Sequence, residues 1–242
     1  MFIFPMVGRS KRFFDAGYKF PKYQLHLNHQ SIFYHAVDSF RRYFDSDNFL
    51  FIVRRDFDAK DFVLAEILKL GIKKYEVITL ENETDGQAHT CFEGLVLLQP
   101  NLKEELFIFN IDTFRPNFIK PQWIKNCDGY LEVFTGEGDG WSFIEPGPNK
   151  LVIRTTEKDR ISNFCSDGLY YFREINLFKE AYEEARRSKY TVNKEYYVAP
   201  LYNLLIQKNF KVNYEVVDLK DLRFCGTPKE FIALGGNAVC KA

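Results

Sequence analysis

The chain has 242 residues, 46% hydrophobic and 27% charged, the composition of an ordinary globular protein that can bury a core without disulfides. Its 33 Lys and Arg balance 33 Asp and Glu, so no bulk field points to nucleic acid or an anionic membrane, and any phosphate-binding charge has to be local. The 17% of aromatic residues is core-building material.

In chain order, "FIFPMV" (2–7) is an apolar run of strand length, and its start carries neither the basic region nor the length of a signal peptide. "HQSIFYHAVDSFRR" (29–42) sets Ile32, Phe33, Ala36, Val37 and Phe40 on one helical face. "FLFIVR" (49–54) is a second strand. "AKDFVLAEILKLG" (59–71) is an amphipathic helix with Gly71 as its C-cap. "YEVITL" (75–80) is a third strand, "QAHTCFEGLVLLQP" (87–100) a helix stopped near Pro100, and "ELFIFNID" (105–112) a fourth strand. This alternation predicts βαβ units and a parallel sheet covered on both faces.

After Asp112 the pattern changes. Strands at 129–134, 141–146, 150–157 and 168–172 follow one another through short turns, so an antiparallel region is added to the parallel core. Helices at about 174–188 and 194–208 and a late strand at 210–219 complete the chain. The expected fold is α/β: a Rossmann-like, mainly parallel mixed sheet flanked by helices, with a small antiparallel region. One domain over 1–242 is the economical organisation. Cys91, Cys127, Cys165, Cys225 and Cys240 are odd in number and far apart, with no C-x-x-C, so free thiols in a reducing cytosol are expected. No stretch approaches a membrane span.

Three strand ends carry residues with chemistry. Gly8, followed by Arg9-Ser10-Lys11-Arg12, offers backbone N–H groups and cations to phosphate oxygens, although G-x-G-x-x-G and Walker A are both absent. A solvated basic turn explains the loop equally well. "ETDGQAHT" (83–90) carries Thr84 as N-cap and Gln87 at N3, a capping box, and is also a rigid turn from which Gln87 can read a nucleobase edge. Asp112, at the end of the fourth strand, is either a surface acid or a magnesium ligand. Together they are the parts needed to hold a nucleoside triphosphate.

In order, these residues resemble the sugar-phosphate nucleotidyltransferase family, of pyrophosphorylase type. Its opening strand, G-x-G-x-R-F and later P-K correspond to "MVGRSKRFFDAGYKFPK", with Gly8, Arg12, Phe13, Pro21 and Lys22. Its base-binding turn corresponds to Gly86-Gln87-Ala88, and its metal Asp to Asp112. Its W-S, E-K and glycine-started strand correspond to "WSFIEP", Glu157-Lys158 and Gly168, and its late G-T-P to "CGTPKEF" (225–231).

The resemblance implies that an NTP and a phosphorylated small molecule give an NDP-linked product and pyrophosphate, with Mg²⁺ as cofactor. Residues 1–112 would be the nucleotide-binding half and 113–242 the acceptor-binding half. Arg12 and Lys22 would be catalytic. Gly8, Arg9, Ser10, Gly86, Gln87 and Ala88 would bind the nucleotide, with the Arg9 and Lys11 side chains mostly solvated. Glu157, Lys158 and Gly168 would bind the acceptor, and Asp112 the metal.

CTP is favoured and dTTP possible. The acceptor is a sugar phosphate or a non-sugar phosphate such as phosphoglutamine, in the manner of small capsule-biosynthesis members. The resemblance further implies a cytoplasmic monomer or homodimer with no nucleic-acid or membrane partner. Tyr18, Phe143 and Tyr170 line an acceptor pocket or simply build the core, and no histidine is assigned a catalytic role.

Two departures matter. Ser10 stands where the second loop glycine is usual. Phe224 stands where many members carry an Asp, leaving Asp218 or Asp221 to substitute, or one metal ligand missing. A non-catalytic nucleotide-binding relative and a nucleotide-sugar-dependent glycosyltransferase are the competing readings. The latter usually carries D-x-D, where this chain has Asn110-Ile111-Asp112.

Overall fold

A computed structural model describes residues 1–239, so Cys240 lies outside the described residues. Strand β1 (Phe2–Met6) leads to the one-turn helix α1 (Lys11–Asp15). A small hairpin, β2 (His26–Leu27) and β3 (Gln30–Ser31), precedes α2 (Ile32–Asp38). Then come β4 (Phe49–Arg54), α3 (Ala59–Leu70), β5 (Tyr75–Leu80), α4 (Gln87–Leu98) and β6 (Leu106–Phe109). The run of strands is β7 (Thr113–Phe114), β8 (Gly129–Thr135), β9 (Ser142–Pro146), β10 (Val152–Glu157) and β11 (Phe164–Phe172). Helices α5 (Ile175–Ser188) and α6 (Val198–Gln207), strands β12 (Val212–Val216) and β13 (Arg223–Phe224), and α7 (Pro228–Ala233) follow. This is the expected α/β class, a mostly parallel central sheet flanked by helices with antiparallel strands added.

The chain divides into two compact units. The first holds Met1–Ile3, Thr84–Phe109 and Lys120–Leu219. Within it, Phe2 and Ile3 of β1 pair in parallel with Phe107 and Ile108 of β6. Strand β11 runs antiparallel to β6 and to β8, while β12 adds to β8 in parallel. Strands β9 and β10 form an antiparallel arm beside β11. Helix α6 is tied to β10 by polar bonds as well as packing: the Thr155 hydroxyl donates to Ala199 O at 2.6 Å, and the Asn203 amide brackets Thr155 N and O at 2.8 and 2.9 Å.

The second unit holds Phe4–Glu83, Asn110–Ile119 and the residues from Lys220 on. Strands β4 and β5 pair in parallel from Phe49↔Tyr75 to Arg54↔Leu80. Rings build its core: Phe4 stacks on Phe51 at 5.3 Å, and Phe13, Tyr18 and Phe231 meet edge to face. Each such ring removes a large apolar area from water, which is the main source of stability here.

Local signals hold where burial and propensity agree. Helix α3 ends on Gly71 at φ +78, the left-handed C-cap expected. The expected helix over 29–42 is shorter, because His29 takes φ +68 in the β2–β3 turn and Ser31 caps α2 by accepting from Tyr34 N at 2.9 Å. Helix α4 starts at Gln87 with Gly86 as N-cap, so the Thr84 capping box does not form. The Thr84 hydroxyl instead lies 2.6 Å from that of Thr90.

Cys91, Cys127, Cys165 and Cys225 are free and buried, as expected. Burial pushes the Cys127 and Cys225 thiols up to about 12, so neither is a thiolate at neutral pH. Among the described residues no helix is long and apolar enough to cross a membrane.

Candidate active site

The opening loop lies in the second unit. Gly8 is exposed, and a Cβ added there would meet nothing within 4 Å. Among the described residues no contact therefore requires glycine at this position. Ser10, the residue in place of a loop glycine, adopts φ +49 and ψ 31, a left-handed conformation that glycine takes at no steric cost. Its hydroxyl accepts from Lys22 N at 3.1 Å. The side chain that replaces glycine thus ties the loop to the P-K segment twelve residues on.

Lys22 is the hinge of this site. Its ammonium donates to Asp112 Oδ2 at 2.6 Å, with the two side chains 24% and 22% exposed. Asp112 follows β6 in the chain and precedes β7; its carbonyl accepts from Cys225 N at 2.7 Å, and Phe224 of β13 pairs with Thr113 of β7. A Cβ on Gly226 would come within 2.7 Å of Asp112 Oδ2, which is why the late G-T-P begins with glycine. Thr227 and Glu230 then form the capping box of α7. Neither departure from the family pattern disrupts this arrangement: Ser10 adds a bond, and Phe224 is a strand residue beside Asp112's neighbour.

The other cations of the loop divide. Arg12 is exposed, with no hydrogen bond or ion pair to its guanidinium among the described residues. Arg9 is engaged by Glu83 through both its Nε and a terminal nitrogen. Arg54 also bonds Glu83, at 3.2 Å, and pairs with Asp56. These residues and the stacked rings of Phe14 and Phe57 border an open cleft of about 730 Å³. Glu83 is held below the usual carboxylate range, chiefly by the hydrogen bond from Arg9.

Gly86, Gln87, Ala88, Glu157, Lys158 and Gly168 all belong to the first unit. The turn at Gly86 is fastened by backbone. Tyr196 N donates to Asp85 O at 2.7 Å, and Ala88 N donates to Tyr196 O at 2.9 Å. Ala88 is fully buried, and its N–H is committed to Tyr196. Gly86 sits at φ +105 and ψ 177. His89, to which no role was assigned from sequence, accepts from Asp85 N at 2.9 Å through Nδ1 and stacks on Tyr182.

Glu157 closes β10 and is 8% exposed. Burial pushes its carboxyl up, opposed by the hydrogen bond from the Ser142 hydroxyl and by Lys158. The Ser142 hydroxyl also lies 3.3 Å from the Tyr170 hydroxyl. Gly168, at φ +93, sits in the bulge where the β11–β8 register shifts between Ser166 and Tyr170. Phe143, Tyr170 and Tyr18 are all buried, so an aromatic core accounts for them.

Glu157 gives a pH prediction. A carboxyl whose folded pKa exceeds its unfolded value binds more protons in the native state between the two, so stability falls as pH rises through that window. The cost is absent below the unfolded value of 4.5 and fully present above the folded one. Glu157→Gln should therefore gain melting temperature relative to wild type as pH is raised from 4.5 to 8. Parallel melting curves for the two proteins would contradict the burial argument.

The donor set suits a hard cation. Asp112 is one carboxylate beside an exposed loop, and Mg²⁺ is commonly held by one or two carboxylates with substrate phosphates completing the shell. Among the described residues no group of three His, Cys, Asp or Glu converges. Glu230 Oε2 lies 3.7 Å from a Gly226 Cβ position, and Asp112 Oδ2 lies 2.7 Å from the same position.

No protein-family model and no curated protein matches the chain. Among solved structures, it is similar to the nucleoside-diphosphate-sugar pyrophosphorylase from Vibrio cholerae RC9. The identity is 45% and the TM-score 0.92, over 97% of this chain and 99% of that one. It shares its fold with the inositol-1-phosphate CTP transferase from T. maritima at 13% identity and TM-score 0.72, covering 95% of this chain and 89% of that one. A UDP-glucose pyrophosphorylase complexed with UDP-glucose matches at 16% identity and TM-score 0.72, over 96% of each chain.

Proposed function

We propose, from the premise that the chain belongs to the family of nucleoside-diphosphate-sugar pyrophosphorylases, which are nucleotidyltransferases, that it joins CTP to a phosphorylated small molecule and releases pyrophosphate. dTTP is the second nucleotide to test, and the acceptor is a sugar phosphate or a non-sugar phosphate such as phosphoglutamine. The role is the supply of activated precursors for a surface polysaccharide, in the cytoplasm, by one nucleotidyltransferase domain acting as a monomer or homodimer. No nucleic acid or membrane takes part.

The observation that carries the reading is the Lys22–Asp112 pair at 2.6 Å, tied to the opening loop by Ser10. An acceptor phosphate oxygen attacks the α-phosphorus in line, the bond to the β-phosphate oxygen breaks, and pyrophosphate leaves with its electron pair. Lys22 neutralises charge developing on the α-phosphate. Arg12, unencumbered, binds the β- and γ-phosphates. Gly8, Arg9 and Ser10 present loop backbone to the triphosphate, and Gly86, Gln87 and Ala88 form the turn that faces the base. Glu157 and Lys158 hold the acceptor and its phosphate, and the Gly168 bulge shapes the strand behind them. Asp112 is the residue that would hold Mg²⁺, which when bound supplies charge neutralisation to the phosphates. Positioning and electrostatics then suffice, without a covalent intermediate.

The test is pyrophosphate release with Mg²⁺, each NTP in turn and a panel of phosphorylated acceptors. Silence across the panel, with nucleotide still bound, favours the reading suggested by Phe224, a nucleotide-binding relative that does not transfer. NDP release from an NDP-sugar would instead identify a glycosyltransferase.

Gly8 offers a sharper check of the loop. Because none of the described residues comes within 4 Å of its Cβ position, Gly8→Ala should leave the melting temperature unchanged. It should raise the nucleotide KM about tenfold or more if a phosphate approaches that backbone. Unchanged KM would place the triphosphate elsewhere.

A further inference from the structure

Lys158 is held in an unusual way. It follows β10 directly with φ +56, a left-handed conformation uncommon for a residue with a side chain. Its N–H donates to Trp141 O at 2.8 Å, which keeps the backbone there. Its ammonium donates to the Tyr197 hydroxyl at 2.6 Å and lies 4.6 Å from the centre of the Tyr197 ring. The carboxylate beside it, Glu157, is farther, at 3.9 Å. An ammonium has three N–H donors, so this arrangement leaves donors for an incoming anion while the hydroxyl fixes where they point.

Tyr197 in turn is fixed at the start of α6, as its N-cap residue. The residue before it, Tyr196, is the one whose backbone brackets the Gly86 turn through Asp85 O and Ala88 N. Two adjacent residues therefore touch two distant parts of the chain: Tyr196 closes the turn that opens α4, and Tyr197 holds the lysine that follows β10.

We infer that Tyr197 is a positioning residue for Lys158, and that the Tyr196–Tyr197 step couples the Gly86 turn to that lysine. The inference rests on the proposed role of Lys158 as the acceptor-phosphate ligand. It assigns a function to a segment that neither the opening loop nor the E-K pair explains. A ligand that orders the Gly86 turn stabilises Tyr196 in its bracketing position, and through it the Tyr197 hydroxyl that holds the Lys158 ammonium. Coupling of this kind is reciprocal: whatever affinity the nucleotide lends the acceptor phosphate, the acceptor phosphate lends the nucleotide.

The experiment uses the whole chain with ¹⁵N-labelled lysine. The Lys158 ammonium signal is assigned by its loss in Lys158→Arg and titrated with inorganic phosphate, with and without CTP, while calorimetry follows CTP binding alone. The wild-type signal should shift with phosphate, at lower phosphate when CTP is present. Tyr197→Leu should weaken phosphate binding about tenfold, the effect of losing one charge-assisted hydrogen bond. It should also abolish the CTP dependence, with CTP's own affinity unchanged.

Tyr197→Phe, which keeps the ring and loses only the hydroxyl, should weaken phosphate binding as Tyr197→Leu does. In turnover, the acceptor KM should rise in step with the phosphate effect with kcat unmoved, and the nucleotide KM should be unchanged at low acceptor and rise at saturating acceptor by the coupling factor lost. Phosphate affinity in Tyr197→Leu within twofold of wild type overturns this inference alone. A wild-type Lys158 signal indifferent to phosphate overturns the acceptor reading of Lys158 itself.

Discussion

Lys22→Met is expected to lower kcat roughly 10²- to 10³-fold while the protein stays folded, the loss seen when one preorganised donor to a developing charge is removed. The nucleotide KM should change far less, because the missing charge matters most as the α-phosphate passes through the transition state. Stability should barely move. The pair with Asp112 is partly exposed, and the net value of such a pair is about 0–1 kcal/mol.

The neighbouring contacts sharpen this result. Ser10 bonds the Lys22 backbone, not its side chain, so the loop keeps its shape in the variant. Asp112 keeps its backbone bond from Cys225 and the space that Gly226 leaves for its carboxylate. Asp112→Asn should cost activity as well, and the double variant should cost less than the sum, because both groups serve one phosphate. Steady-state kinetics and thermal melting on the three proteins decide the matter. A Lys22→Met enzyme with more than half of wild-type kcat would remove Lys22 from the reaction.

The second large effect is structural. Gly86→Ala should destabilise the protein by about 3 kcal/mol, lowering the melting temperature by roughly 6–12 °C. The backbone at φ +105 and ψ 177 belongs to a region that only glycine visits readily. A Cβ would also stand 2.7 Å from Tyr196 O and 2.8 Å from Tyr196 N. Both contacts are to backbone, so no side chain can swing away.

Either the turn or Tyr196 has to move, and the bonds to Asp85 O and Ala88 N go with it. Amide exchange at Ala88 and Tyr196 should accelerate together. Gly8→Ala is the matched control, the same substitution in open space. Equal melting temperatures for the two variants would refute the steric argument at Gly86.

The residues of the proposed site were readable as chemistry before folding. Lys22, Asp112 and the G-Q-A turn sit in local patterns that mark strand ends, and strand ends at one side of a parallel sheet are where ligands gather. Thr84 misled because an N-cap signal is only a local preference. Here the Gly86 turn is held by Tyr196, so α4 begins later and the Thr84 hydroxyl turns to Thr90. Glu230 near Asp112, His89 under the turn and Tyr197 beneath Lys158 left no periodic or spacing signal, because each acts through a partner chosen by the fold.

By itself the sequence determined the α/β alternation, the parallel core, the late antiparallel arm and the chemistry available at each strand end. Those depend on side-chain periods of two and about 3.6, which a short window contains. Only the tertiary structure decided that the Lys22 ammonium meets Asp112 across 90 residues, that Gly226 makes room for that carboxylate, and that Tyr197 holds Lys158. Contacts of that range depend on how loops close and which faces pack, and hydrogen-bond geometry selects among them at tenths of an ångström.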